Sequence, residues 1–244
     1  ADLTSNTSGI ISPNPFWLAS APPTNSGRQI MRAFEAGWGG AVWKTLGQPI
    51  QNVSSRFAGI QYRGGDRGVG FNNIELITDR SLEVNFKEIA EVKRNFPNHA
   101  IITSLMVETK EEWKDVVKRA IDAGSDGLEL NFGCPHGMCE RGMGSAVGQE
   151  PAVNERITSW VKEYSSIPVL VKLTPNVGDI RPHGLAAQAG GADGVSLINT
   201  IKSIIGVDID KFIPQPVVGN KSSNGGYCGA AVRPIALHMA ASLA

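Results

Sequence analysis

Short apolar runs alternate with helical patterns along this chain, and three of the junctions echo one another. AGWGGAVW begins at Ala36, AGSDGLEL at Ala123 and AGGADGVSL at Ala189. The segments before them, MRAFEAG, WKDVVKRAIDAG and HGLAAQAG, space their apolar positions as helices do. Each ends in Ala-Gly, where glycine suits the left-handed position that closes a helix. The runs that follow are short and rich in Val, Leu and Ile, the pattern of parallel strands covered on both faces.

Extended outward, the pattern predicts a strand over 16–21, a helix over 28–36 and a strand over 40–45. A long connection without predicted elements then runs to Arg80. Helix SLEVNFKEIAEVKRNF leads into strand AIITSLM, and helix EEWKDVVKRAIDA into strand GLELN. After a Gly-rich loop come helix EPAVNERITSWVKEY, strand PVLVKL, a helix over 182–189, strand GVSLIN and a last helix from Pro234. Strand and helix alternate six times, which argues for a parallel α/β protein.

Two parallel architectures compete, the open doubly wound sheet and the closed (β/α)8 TIM barrel. No G-x-G-x-x-G is present, and GGDRGVG has the wrong spacing and no strand before it. Polar residues instead end several strands: Ser20, Lys44 with Thr45, Asn131, Lys172, and Asn199 with Thr200. Barrel active sites are built in this way, from the C-terminal ends of different strands. The expectation is a single barrel domain over 1–244 that lacks the last two βα units, leaving the edges of its first and sixth strands exposed.

Charge narrows the partners. The chain carries 23 basic and 23 acidic residues, which excludes nucleic acid and anionic membrane as expected partners. No apolar run reaches membrane-spanning length, and the first thirty residues lack the basic start and apolar core of a secretory signal. The three cysteines Cys134, Cys139 and Cys228 cannot pair completely, so reduced thiols in a cytoplasmic protein are expected.

The segment LELNFGCPHGMCERGMGSAVGQ concentrates the candidate chemistry. Asn131 ends a strand, so its amide can offer a donor and an acceptor at a barrel mouth. Cys134 follows on a Gly-rich loop, where a thiol can serve as general acid or base. Cys134, His136 and Cys139 also suggest zinc, but their close spacing and missing fourth ligand speak against it, and no metal is expected. Lys172 lies in VLVKLTP at the end of a strand expected to be buried, where a lysine needs a partner.

LELNFGCPHGM with ERGMG, VKLTPNVGDI, AGGADGVSLINT, FNNIELI and AVRPIAL together resemble the dihydropyrimidine dehydrogenase family. The likeness is to the pyrimidine-reducing barrel of its bacterial NAD-dependent form, and more distantly to dihydroorotate dehydrogenase. It runs in order from Ser12 to Ala240. The resemblance implies an FMN-linked barrel in which Ala19 and Ser20 touch the flavin ring. Lys44 and Thr45 would bond its polar edge, Lys172 would place positive charge near N1 and O2, and Gly229 would lie near the phosphate. It also implies a pyrimidine site formed by Asn73, Glu75, Asn131, Phe132, Gly133, Asn199 and Thr200. Flavin N5 would deliver hydride to C6 of uracil or thymine while Cys134 protonates C5. Electrons would come from NAD(P)H through FAD and iron–sulfur clusters on a partner subunit or a segment outside this sequence, in an oligomer.

Rival readings are dihydroorotate dehydrogenase, an inactive barrel fragment without flavin, and an aldolase-type lyase using Lys172 as a Schiff base.

Overall fold

The computed structural model describes residues 1–48, 57–61, 68–74, 76–133 and 145–244. Its frame is a six-stranded parallel sheet made of strands Trp17–Leu18, Gly40–Leu46, Ala100–Leu105, Gly127–Asn131, Val169–Lys172 and Gly194–Ser196. These six lie side by side in chain order. A doubly wound sheet reverses its strand order at a switch point, and this sheet has no reversal. The winding is that of a barrel wall.

Helices Gly27–Glu35, Leu82–Asn95, Lys110–Asp122, Pro151–Tyr164 and Arg181–Ala189 follow the strands as the periodicity predicts. Their starts are chemically marked: Thr109 and Glu112 form a reciprocal capping box at the third helix. The helices bury their apolar faces on one side of the sheet, where Trp43, Ile101, Leu105, Leu128, Leu130, Val169 and Val171 meet Trp113, Val117, Ile157 and Val161. Helix Arg233–Leu243 follows near the C-terminal end.

Alternation along the strands sends the intervening residues to the opposite face. There the N-terminal halves are apolar, with Val42, Ala100, Ile102 and Leu170 clustered around Ile10. Ile10 belongs to a hairpin, Ser5–Thr7 with Ile10–Ser12, that the sequence pattern did not predict. The hairpin turns through Ser8 and Gly9, both at positive φ, and plugs this end of the sheet. Gly127 makes room for the plug, since a methyl group there would lie 2.5 Å from Ile10 Cδ1. Towards the C-terminal ends the same face turns polar, with Lys44, Ser104, Glu129, Asn131, Lys172 and Ser196.

The long connection after Leu46 departs from expectation. It contains antiparallel strands Phe57–Gln61 and Gly68–Asn73, which join Gly225–Cys228 and Ile201–Ser203 in a four-stranded sheet of their own. Two shorter ribbons, Gly206–Asp208 with Ile213–Gln215 and Val217–Val218 with Lys221–Ser222, fill the stretch between. Among the described residues no helix is long and apolar enough to cross a membrane.

Candidate functional site

A cavity of about 530 Å³ opens where the C-terminal ends of the parallel strands meet the antiparallel sheet. Ala19 and Ser20 reach it from the end of the first strand, Lys44 and Thr45 from the second, and Asn131 from the fourth. Lys172 lines it from the fifth strand, and Asn199 and Thr200 follow the sixth. Asn73 faces it from the antiparallel sheet. Lys44 and Thr45 are consecutive yet share this wall, because the pairing register shifts between Trp43 and Leu46. Such an irregularity re-aims one side chain.

A continuous run of side-chain hydrogen bonds crosses the mouth. Ser20 and Thr45 pair at 3.2 Å, and Thr45 pairs with buried Ser104 at 2.9 Å. Asn131 Nδ2 donates to Thr45 Oγ1 at 3.0 Å. Its Oδ1 accepts from Gly133 N at 3.2 Å and from Asn199 Nδ2 at 3.0 Å. Asn199 Oδ1 in turn accepts from Thr200 N at 2.8 Å. With its oxygen used twice, Asn131 keeps one N–H for a ligand, and Asn199 keeps another. The amides therefore present donors, where the sequence alone left donor and acceptor equally open.

Two cations face this network. Lys44 is buried and donates from Nζ to the Leu76 carbonyl at 2.6 Å. Lys172 Nζ lies 3.7 Å from Glu129 Oε1, and the other carboxylate oxygen accepts from Ser196 Oγ at 2.8 Å. Ala21, Pro22, Pro23, Leu76 and Ile198 supply apolar wall. An apolar slot edged by two ammonium groups and a row of amide donors suits a flat heteroaromatic group rich in carbonyl oxygens.

Other predicted residues fall differently. Phe132 is packed in the core beside the helices, so its ring does not line the cavity. Gly133 has its Cα against Asn199, where a methyl group would lie 2.5 Å from Asn199 Cβ. Gly229, at positive φ, sits one residue past cavity-lining Cys228 and outside the lining itself. Glu75, Cys134, His136 and Cys139 lie outside the described residues. Among the described residues no cluster of His, Cys, Asp or Glu could hold a metal ion.

Three site residues escaped the sequence reading. Glu129 and Ser104 are polar residues two and one positions before the ends of largely apolar strands, a signal that was available. Cys228 donates from Sγ to the Phe71 carbonyl at 3.5 Å, and burial raises its thiol above the ordinary value. Its Gly-rich surroundings hid the strand that carries it.

Fold and site together define an α/β enzyme with a strand-end cavity built for a flat polar cofactor or substrate. The family model described as dihydroorotate dehydrogenase matches residues 3–244, and the chain belongs to that family of oxidoreductases. Its members are flavin enzymes. It is 42% identical over 97% of its length to the NAD-dependent dihydropyrimidine dehydrogenase subunit PreA of Escherichia coli (strain K12). It is 40% identical over 97% of its length to chloroplastic dihydropyrimidine dehydrogenase (NADP(+)) of Arabidopsis thaliana. The chain spans 57% of each of these two relatives. The catalytic subunit of dihydroorotate dehydrogenase B (NAD(+)) from Pyrococcus abyssi is 36% identical over 98% of the chain and 74% of that protein.

Proposed function

We propose that this chain is the pyrimidine-site half of a flavin-dependent dihydropyrimidine dehydrogenase, with its parallel sheet forming six strands of an eight-stranded barrel. The observation that carries the reading is convergence. Nine residues picked out for flavin or pyrimidine from separate stretches of sequence line one cavity. The aldolase reading falls with membership of an oxidoreductase family.

The residues present fit FMN at its ring end. Ala19, Ala21 and Pro22 offer a flat apolar surface, while Lys44 and Lys172 offer charge to a carbonyl-bearing edge. Bound there, the flavin supplies the hydride chemistry. Asn131 is held by Thr45 and Gly133, Asn199 by Asn131 and Thr200, and each keeps an N–H for the carbonyl oxygens of uracil or thymine. An acceptor for the ring N–H comes from Asn73 or Glu75. Apolar wall excludes water from the reacting atoms. Cys134 protonates C5; its thiol, with an ordinary pKa of about 8.5, holds a proton near neutrality and releases it readily. Gly133, the residue before it, lies against Asn199. NAD(P)H, FAD and iron–sulfur centres belong to a partner subunit or to sequence outside this chain.

The test uses the full-length protein that contains this chain. Reduced enzyme with the flavin spectrum should be reoxidised by uracil or thymine and not by orotate. Cys134→Ala should retain flavin but slow that reoxidation by roughly 10²–10⁴-fold. Faster turnover with orotate would convert the reading to dihydroorotate dehydrogenase. Absence of bound flavin, with none taken up from added FMN, would leave the inactive-fragment reading.

A further inference from the structure

Among the described residues Glu129 is the only carboxylate in the buried interior. An ionised carboxylate at that depth is costly unless paired, and apolar replacements of similar volume generally stabilise such positions as well or better. Stability alone is thus a poor account of it. Its surroundings are more informative. Oε2 is fixed by Ser196 Oγ at 2.8 Å, while Oε1 receives no hydrogen bond. Lys172 Nζ stands 3.7 Å from Oε1, within ion-pair range and beyond hydrogen-bond range.

Strand register explains the arrangement. Lys172 lies level with Asn131 on one side and Ser196 on the other. Glu129 sits two residues before Asn131 on the same strand face, one step deeper towards the apolar plug. The ammonium group is therefore suspended between a carboxylate beneath it and the cavity above it. Its hydrogen-bonding capacity is not consumed by Glu129, because the contact is too long for that.

We propose that Glu129 is a positioning residue: aligned by Ser196, it holds the Lys172 ammonium at the cavity wall, directed at the polar edge of the flavin. The inference rests on the flavin reading given above for its ligand, though not for the pairing itself. In the flavin-free protein the carboxylate serves as the counter-ion of Lys172. Once a carbonyl-bearing ring edge arrives, the ammonium can bond it without leaving its anchor.

The experiment has one arm that needs no flavin. Lys172 in the flavin-free full-length protein is acylated with acetic anhydride and its peptide followed by mass spectrometry. Glu129→Gln keeps the side-chain shape and an acceptor for Ser196 but removes the charge, and should speed Lys172 acylation by about tenfold. In the second arm FMN is titrated by fluorescence quenching. Glu129→Gln should weaken FMN by about tenfold, and should add nothing further in a Lys172→Met background. Ser196→Ala should move both readouts the same way by a smaller factor, and it decides the matter if Glu129→Gln does not fold. Unchanged acylation overturns the pairing, and an equal loss of FMN in both backgrounds overturns action through Lys172. If wild-type protein takes up no FMN, the flavin reading fails, while the acylation arm still judges the pair.

Discussion

The side chains of Asn131 and Asn199 are bonded to one another at 3.0 Å, although 68 residues separate them. This contact ties the end of strand Gly127–Asn131 to the segment after strand Gly194–Ser196 and spends the Asn131 oxygen inside the protein. Asn131→Ala leaves Thr45, Gly133 and Asn199 short of a partner and should cost about 1–3 kcal/mol of stability. Asn131→Asp retains both acceptor contacts but removes the N–H kept for a ligand. It should lose less stability than the alanine variant yet bind uracil roughly tenfold or more weakly. Denaturant titration and ligand titration of the two variants check this. Equal uracil binding by Asn131→Asp and wild type would remove the donor role.

Ile10 should matter to the sheet and not to the ligand. Its side chain is 1% exposed and closes the apolar end of the strands. Truncation to alanine should cost about 2–5 kcal/mol in denaturant unfolding. Flavin affinity of the folded variant should stay at the wild-type level, because the cavity lies at the other ends of the strands.

Two histidines set a pH slope. Burial, with repulsion from Lys93, holds His99 below its ordinary value. Burial also lowers His183, against the opposing pull of Asp179 and Glu150. In each case the unfolded chain binds protons more readily. The contribution is therefore complete above the unfolded value of about 6.5 and is lost as pH falls through the lower folded values. Glu88, lowered by Arg80, adds its own loss only below the ordinary carboxylate value of about 4.3. The melting temperature should thus decline as pH falls below about 6.5. His99→Phe preserves the ring stacking on Phe34 and should flatten that decline. An unchanged slope would clear His99 of any part in it.

Cys228 reports on the cavity. Because burial raises its thiol, alkylation by iodoacetamide should be slower in the folded protein than in the unfolded chain at the same pH. Bound FMN should slow it further, since Cys228 lines the cavity. Mass spectrometry of the Cys228 peptide measures both, and indifference to FMN would place the flavin elsewhere.

The parts legible in sequence are those whose burial is repeated. Strand Gly127–Asn131 and helix Pro151–Tyr164 show the period of the surface that they cover, and both emerged within a residue of their predicted bounds. The hairpin around Ile10 and the strands Gly68–Asn73 and Gly225–Cys228 gave no such signal. They are short, rich in Gly, Asn and Ser, and owe their conformation to partners distant in the chain. The site divides along the same line. Lys44, Asn131, Lys172 and Asn199 stand out as polar ends of apolar runs. Glu129 lies inside its run, and only the structure shows Lys172 beside it.

The roof of the cavity has a consequence for order of assembly. Phe71 and Cys228 meet in it across 157 residues, whereas strands Ala100–Leu105 and Gly127–Asn131, and likewise Val169–Lys172 and Gly194–Ser196, are neighbours joined through a single helix. Contacts between distant parts of a chain carry the larger loop-closure cost and form late. Refolding protein is therefore expected to regain its tryptophan signal, centred on Trp43 and Trp113 in the core, before it can quench added FMN. Such a lag would mean that newly made protein passes through a folded stage that is blind to its cofactor.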